Sequence, residues 1–318
     1  MGLTSAIKEL IIKIGEKNEI GDLFYYHVKY KSSRFLGAIL GEKKYSEWFY
    51  HLYTGMRLDL NNPQTYNEKL WWLKLNYHNP LMTTCSDKSA VREYVKEQGY
   101  EDILIPQFDL FSSVDELDLS KYHEEVIVKC THNSGGHLIY NPEKPLSAKE
   151  IKQKKKKLKF ILKHNAFYLS REWNYKDIPP RLIVEKIMRD GDALPCDYKI
   201  FCFNGKARLV EYVIGRDSVQ KYVNYYDVDF NKIDMHTAKP FEPNSDVAYE
   251  KPKNYDRMIE IAEKLSAPFP HCRVDLYNVD GHIYFGEMTF YNVGGCELWS
   301  PDTLQHEFGK EIDINSLK

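Results

Sequence analysis

The stretch running from Arg273-Val-Asp275-Leu-Tyr277 through Asp280-Gly281 to Tyr284-Phe285-Gly286-Glu287-Met288-Thr289-Phe290 constrains the fold of this chain more than any other. Apolar and polar residues alternate on both sides of an Asp-Gly pair. That pattern predicts a two-strand hairpin closed at the pair, where glycine and aspartate accept the backbone angles of a tight turn. Such a hairpin sets Asp275 roughly opposite Glu287. Facing carboxylates repel each other unless a cation or a proton stands between them. Mg²⁺ suits that place, because it favours a few carboxylate oxygens together with the phosphates of a nucleotide. Arg273 shares a strand face with Asp275 by period two, and its planar fork suits a phosphoryl group or a substrate carboxylate. Taken alone, the pattern is equally that of an amphipathic hairpin with its polar face in water.

The rest of the composition narrows the setting. A chain of 318 residues holds two or three subdomains around a sizeable core. The net charge of −2 excludes a general electrostatic grip on nucleic acid. Cysteines 85, 130, 196, 202, 272 and 296 form no Cys-x-x-Cys pair and read as reduced thiols of a cytoplasmic protein. No stretch reaches the length of a membrane-spanning helix, and Met1 to Glu16 lacks the pattern of a secretion signal.

From the amino terminus to about residue 80 the chain reads as helices, with Ile7, Leu10, Ile11 and Ile14 at helical spacing and an aromatic region over 24–53. That region fits either docking on the main domain or a membrane-surface helix. Thr65 with Glu68 forms a capping box. Further helices are expected from Ser86-Asp87 to Val95, from Ser147 onward, and over Tyr255 to Leu265. The Ser147 helix carries the lysine run 152–159, which reads as a solvated face or as an attraction for an anionic polymer or the inner leaflet. Strands are expected at Ile103 to Pro106, Glu125 to Lys129, Arg181 to Met188, Asp197 to Phe203 and Ala207 to Val213, the last two joined at Asn204-Gly205. Residues 215–255 read as a long Tyr- and Asp-containing lid facing the acceptor. Leu298 to Lys318 reads as a helical tail.

A second constellation follows the 125–129 strand: Lys129 at its end, then His132, Ser134, Gly135, Gly136 and His137. Backbone amides of a glycine-rich loop can converge on phosphate oxygens, with Lys129 as point charge and a histidine as a further donor. The Walker A ending is absent. Glu185 interrupts an otherwise apolar strand, a costly placement unless it finds donors. Asp197 and Lys199 share one strand face.

Asn67-Glu-Lys-Leu-Trp-Trp-Leu-Lys-Leu75, Asp87-Lys88 with Val91-Arg92-Glu93, Val128-Lys129 with His132 and Ser134-Gly135, Asp197-Tyr-Lys199, Tyr226-Asp227, and Arg273-Val-Asp275 with Glu287-x-Thr289-Phe290 occur in one order over about 63–309. In order and spacing they resemble the ATP-grasp amidoligases associated with teichuronopeptide and other cell-surface polysaccharides. The resemblance implies an α+β ATP-grasp fold, with two subdomains whose antiparallel sheets sandwich a nucleotide, behind an N-terminal helical region. It divides the chain into helices at 1–80, the N-terminal and lid subdomains with the phosphate loop at 81–185, and the C-terminal subdomain with the metal site at 186–318. It implies ATP and Mg²⁺ as cofactors and ligation of a carboxylate to an amine through an acyl phosphate, with a uronic-acid sugar or polysaccharide and an amino acid as partners and a peripheral tie to the inner membrane or to other synthesis enzymes.

By that likeness Lys88, Lys129, His132, Ser134, Gly135 and Gly136 meet the triphosphate. Glu185, Lys186 and Ile187 line the base pocket, Asp197 meets ribose and Lys199 phosphate. Arg273 and Lys199 act in catalysis, and Asp275 and Glu287 hold the metal. Thr289 stands where the family usually has Asn, so either Thr289 or Asn292 completes the ligand set. The other readings are a kinase or glycosyltransferase of the same polysaccharide, the latter because paired carboxylates also suit a sugar nucleotide, and a nucleotide-binding scaffold without catalysis.

Overall fold

The computed structural model describes residues 19–318 apart from 134, 135, 217, 219, 240 and 318. The expected helix around Ile7 to Ile14 lies outside them. The chain begins with α1 (Glu19–Thr54), broken at Gly41 where φ is 72°. Helix α2 (Tyr66–Asn76) opens with the expected box, the Thr65 hydroxyl accepting from Glu68 N and the Glu68 carboxylate from Thr65 N. Next are α3 (Pro80–Ser86) and α4 (Val91–Glu97). Here the expected helix over 86–95 is cut in two, because the Asp87 carboxylate turns to Arg181, 2.9 Å away, and to the Ser89 amide.

A first sheet and its helices occupy the middle of the chain: β1 (Gln107–Phe111), β2 (Val126–Cys130), β3 (His137–Tyr140), α5 (Ala148–Leu162), α6 (Phe167–Ser170) and β4 (Leu182–Lys186). The order is β1-β4-β2-β3, antiparallel throughout. Its own core joins Val126, Val128, Leu182 and Val184 to Leu158 and Ile161 of α5. The first strand begins after Pro106 instead of ending there: Leu104 makes only a single parallel bridge, to Phe285. Ser147 and Glu150 cap α5 as the sequence predicts.

The second, larger sheet follows: β5 (Asp197–Phe203), β6 (Lys206–Ile214), β7 (Tyr222–Tyr226), β8 (Lys232–Ile233), β9 (His236–Lys239), β10 (Phe241–Glu242), α7 (Tyr255–Ser266), β11 (His271–Val279), β12 (His282–Thr289), β13 (Leu298–Ser300) and α8 (Thr303–Lys310). Six of these strands run in the antiparallel order β12-β11-β5-β6-β7-β8, and β10-β9-β13 form a small sheet beside them. Region 215–255 is therefore substantially strand, not only a lid. Val223 and Tyr225 are fully buried in β7, and this burial overrides the polar look of the Asn and Asp among the tyrosines. The helical tail likewise begins with β13. Met258, Ile261, Ala262 and Leu265 of α7 pack with residues of β5, β6 and β11 in a core that also takes Tyr66, Leu70 and Leu73 from α2.

The hairpin β11–β12 has the predicted turn, with Asp280 at φ 51° and Gly281 at φ 79°. Asp275 pairs with Glu287, but the next pair is Leu276 with Phe285, so Gly286 is the extra residue of a bulge. A Cβ on Gly286 would lie 3.0 Å from the Asp275 carbonyl oxygen, so glycine fits there.

Candidate active site

Strand register builds the site. Glu287 on β12 pairs with Asp275 on β11, Asp275 with Lys199 on β5, Lys199 with Glu211 on β6, and Glu211 with Tyr225 on β7. Directly opposed side chains stand about 5 Å apart on one face, so a row of two acids, a lysine and a third acid crosses the sheet to Tyr225. Lys199 Nζ lies 3.3 Å from Glu211 Oε1. Burial alone would lower the Lys199 pKa, but Glu211, Asp275 and Asp197 outweigh it and hold it above its ordinary value.

Arg273 is the hub of the acid end. Its Nε and Nη2 each donate to Asp275 at 2.7 Å, Nη2 also donates to Thr289 Oγ1 at 3.2 Å, and Nη1 donates to Asn292 Oδ1. The fork expected to take a phosphoryl group or substrate carboxylate is thus filled by Asp275, its neighbour on the same strand face. Arg273 positions the carboxylate, a role the period-two pattern alone did not distinguish. Asn292 is buried and donates onward to Glu297, whereas Thr289 remains partly open. Of the two, the structure therefore leaves Thr289 at the open face of the acidic pair.

Two lysines from outside this sheet bear on the same place, Lys129 from β2 and Lys88 from the turn between α3 and α4. Lys129 Nζ lies 2.6 Å from Glu185 Oε2, and Arg92 takes the other oxygen at 3.3 Å. Glu185 thus finds the donors its buried position requires; it sits on β4, an interior strand. Lys88 donates to the Asn133 carbonyl at 2.8 Å, closing the loop after β2. Burial would raise the pKa of Glu287, yet Lys88, Arg273, Lys199 and Lys129 together hold it below the ordinary carboxylate range. The charges expected to converge do so.

The remaining expected residues divide. Gly136 has φ 67°, and a Cβ there would lie 1.9 Å from Ile161 Cδ1, so the loop needs glycine for close packing. Ser134 and Gly135 lie outside the described residues. His132 is buried with no partner on Nδ1, and burial lowers its pKa, so it packs beneath the loop. The N–H groups of Lys186 and Ile187, residues expected to line the base pocket, donate to the Pro106 and Glu125 carbonyls at 3.0 and 3.1 Å, just ahead of β1 and β2. The Lys186 side chain pairs with Glu124 at 2.8 Å. Asp197 receives Arg216 at 2.9 Å on Oδ1, and its buried Oδ2 has no partner.

Several residues were not anticipated. Glu211 and Glu297 are 5% and 4% exposed and lie close enough that each disfavours the other's charge. Burial first and then Glu211 push Glu297 up to about 8. Glu172 and Tyr175 come from the loop before β4; burial raises both, and both lie within the field of Glu287. For Glu211 the signal was present: a lone charge inside Leu209-Val-Glu-Tyr-Val213, the same sign that marked Glu185.

Does this constellation fit a divalent cation and a triphosphate? Even with Arg273 bound to it, burial lifts Asp275 to about 6, so its charge is under-neutralised. Glu287 is half open, its side chain 44% exposed, with Arg273 no nearer than 3.8 Å. Among the described residues no three His, Cys, Asp or Glu side chains form a ready metal cage. Mg²⁺ needs none, since it draws remaining ligands from water and phosphate. The residues fit both groups.

A sequence model described as TupA-like ATP-grasp matches residues 68–313. The chain belongs to that family. The ATP-grasp match spans α2 to the end of α8 and so takes in both sheets. No curated protein matches. Among solved structures, D-alanine–D-alanine ligase from Bacillus anthracis aligns at 13% identity and TM-score 0.43, over 73% of this chain and 68% of that one. Its complex with ATP aligns at 14% and 0.38, over 65% and 55%. L-amino acid ligase from Bacillus licheniformis aligns at 14% and 0.41, over 66% and 44%. The chain thus spans between 44% and 68% of the length of these proteins, and at that distance they say nothing about its substrate.

Proposed function

We propose that this ATP-grasp chain is an ATP- and Mg²⁺-dependent ligase that joins a carboxylate to an amine. The observation that carries the reading is the Glu287–Asp275–Lys199 row of one sheet meeting Lys129 from the other and Lys88 from the turn between α3 and α4. When bound, ATP supplies the phosphoryl group that activates the carboxylate, and Mg²⁺ spreads the charge on it. Asp275 and Glu287, with Thr289 beside them, would hold the metal. Arg273 keeps Asp275 aimed, and Asn292 braces Arg273. Lys88, Lys129 and Lys199 are fixed ammonium groups for phosphate oxygens, positioned by Asn133, Glu185 and Glu211 before any ligand arrives. Glu185, the hinge at Lys186 and Ile187, and Asp197 would border the base and ribose.

The partners follow from the sequence likeness over about 63–309: a uronic-acid unit of a cell-surface polysaccharide or its precursor as carboxylate, and an amino acid as amine. A cytoplasmic setting agrees with six cysteines that form no disulfide. No helix among the described residues is long and apolar enough to cross a membrane.

Incubation with ATP, Mg²⁺, an amino-acid mixture and uronic acids tests the reading. A ligase releases ADP only when both organic substrates are present. Glu287→Gln should bind ATP as the parent does and lose turnover by at least a hundredfold, about the loss of one transition-state charge contact. Full turnover in that variant removes the metal assignment, and preferential binding of UDP-sugars over ATP removes the ligase.

A further inference from the structure

Among the described residues, helix α1 buries one side and leaves the other exposed. Tyr30, Ser33 and Gly37 are buried, and the Arg171 guanidinium fills the space over Gly37, where a Cβ would lie 1.2 Å from Nη2. Across the helix Phe24, Phe35 and Ile39 are 57%, 66% and 64% exposed. Positions 24, 28, 31, 35 and 39 fall on one stripe by helical spacing, so exposed Lys31 stands in line with the apolar side chains. From Lys29 to Lys44 the helix carries Lys29, Lys31, Arg34, Lys43 and Lys44 against Glu42 alone, and Glu42 faces Arg171 at 3.5 Å.

The lysine-rich helix α5 adjoins this face. Phe160 and His164, at the end of α5, meet Tyr26 with ring centroids 5.8 and 5.7 Å apart and meet His27 at 6.0 and 5.5 Å. Lys152 and Lys156 stand on the same i, i+4 ridge as Phe160 and are exposed, as is Lys163. Lys31 of α1 and Lys163 both bear on the His164 imidazole, which ties the two basic groups together in space. The aromatic amino-terminal region and the lysine run, far apart in sequence, thus form one surface.

We propose that this surface seats the protein on an anionic lipid bilayer. Phe35 and Ile39 enter the boundary between headgroups and acyl chains, and Lys31, Lys156 and Lys163 lie against the lipid phosphates. A second copy of the chain is a poor occupant, because it would bring the same basic groups face to face. A partner protein is disfavoured as well. The large apolar side chains of the face are Phe24, Phe35 and Ile39 on α1, flanked by lysines, too few for the apolar centre of a stable protein interface.

The proposal stands independently of the ligase reading, and binding to vesicles tests it on the full chain. Vesicles of phosphatidylcholine with phosphatidylglycerol should sediment the protein at low salt, those of phosphatidylcholine alone should not, and salt should weaken the binding. Phe35→Glu with Ile39→Glu should abolish sedimentation, while Lys31→Ala with Lys163→Ala should weaken it by about 30-fold, the expectation for two surface charges. Glutamate is a good helix former; an unchanged melting temperature shows the fold is kept, and the Gln pair at 35 and 39 replaces the Glu pair if it is not. Failure to bind anionic vesicles, or binding indifferent to these substitutions, overturns the proposal. So does a soluble dimer that the Glu pair dissociates, which would assign the face to a second copy.

Discussion

Replacing Lys199 with methionine isolates the role of the charge row in folding from its role in chemistry. Lys199 and Glu211 are 3.3 Å apart, their side chains 18% and 6% exposed, and Glu211 Oε2 has no other partner. At an effective dielectric of 20 the pair attraction is about 5 kcal/mol. Breaking a buried pair by removing one partner typically costs about 3–5 kcal/mol, because the other charge is left uncompensated. Lys199→Met should therefore destabilise the protein by ~3 kcal/mol or more at pH 8, read from urea unfolding in the presence of EDTA. Glu211→Gln added to Lys199→Met should recover most of the stability, with a coupling of about 1–3 kcal/mol in the double-mutant cycle. The double variant should nevertheless stay inactive, since the ammonium proposed to meet phosphate is gone. A cost below about 1 kcal/mol for Lys199→Met, or no rescue by Glu211→Gln, refutes the argument that Glu211 holds Lys199 in place.

Three further outcomes are expected. Glu297 carries a folded-state pKa of about 8, above its unfolded value, so the folded protein binds an extra proton between the two values and stability must fall as pH rises through that window. Glu297→Gln should flatten this dependence and exceed the parent by ~3 kcal/mol near pH 9 in urea melts with EDTA; a parallel pH profile would remove Glu297 as the source. Gly136→Ala should cost about 2 kcal/mol and weaken ATP binding by isothermal titration, because both the positive φ and the Ile161 contact oppose a side chain; unchanged binding would separate the loop from the nucleotide. Glu185→Ala should leave Lys129 and Arg92 without their carboxylate and raise the KM for ATP more than it lowers kcat; an unchanged KM would make that pair structural only.

What could be read from the chain was local. The Asp280-Gly281 and Asn204-Gly205 turns, the boxes at Thr65 and Ser147, and the opposition of Asp275 to Glu287 each depend on residues a few positions apart, and each stands in the structure. Long-range contacts were not legible. That Glu211 would lie against Lys199 on one side and near Glu297 on the other depends on which strands become neighbours and on β13 closing over the sheet. The occupation of Arg273 by Asp275 was hidden for a different reason. A face-sharing Arg and Asp can point to a common ligand or to each other, and only burial decides between them. Tyr222 to Tyr226 misled because the Asn at 224 suggests a loop, whereas here its amide is buried and accepts from the Ser245 N–H at 2.8 Å.

The extra residue at Gly286 has a consequence for how such a hairpin can vary. Beyond it, Tyr284 still pairs with Tyr277 and so keeps company with the acids, although it is three positions from Glu287 and strict alternation would turn it away. The opposition of Asp275 and Glu287 lies on the far side of the kink from the loop tip, so it does not depend on the length of the tip. Residues could be added at Asp280-Gly281 with little effect on Glu287. Deletion of Gly286 alone would leave Leu276 opposite Phe285 and Tyr277 opposite Tyr284, and would remove only the local bend that the extra residue gives the strand. In kindred chains, length differences should accumulate at the tip, where they leave the opposition of Asp275 and Glu287 untouched.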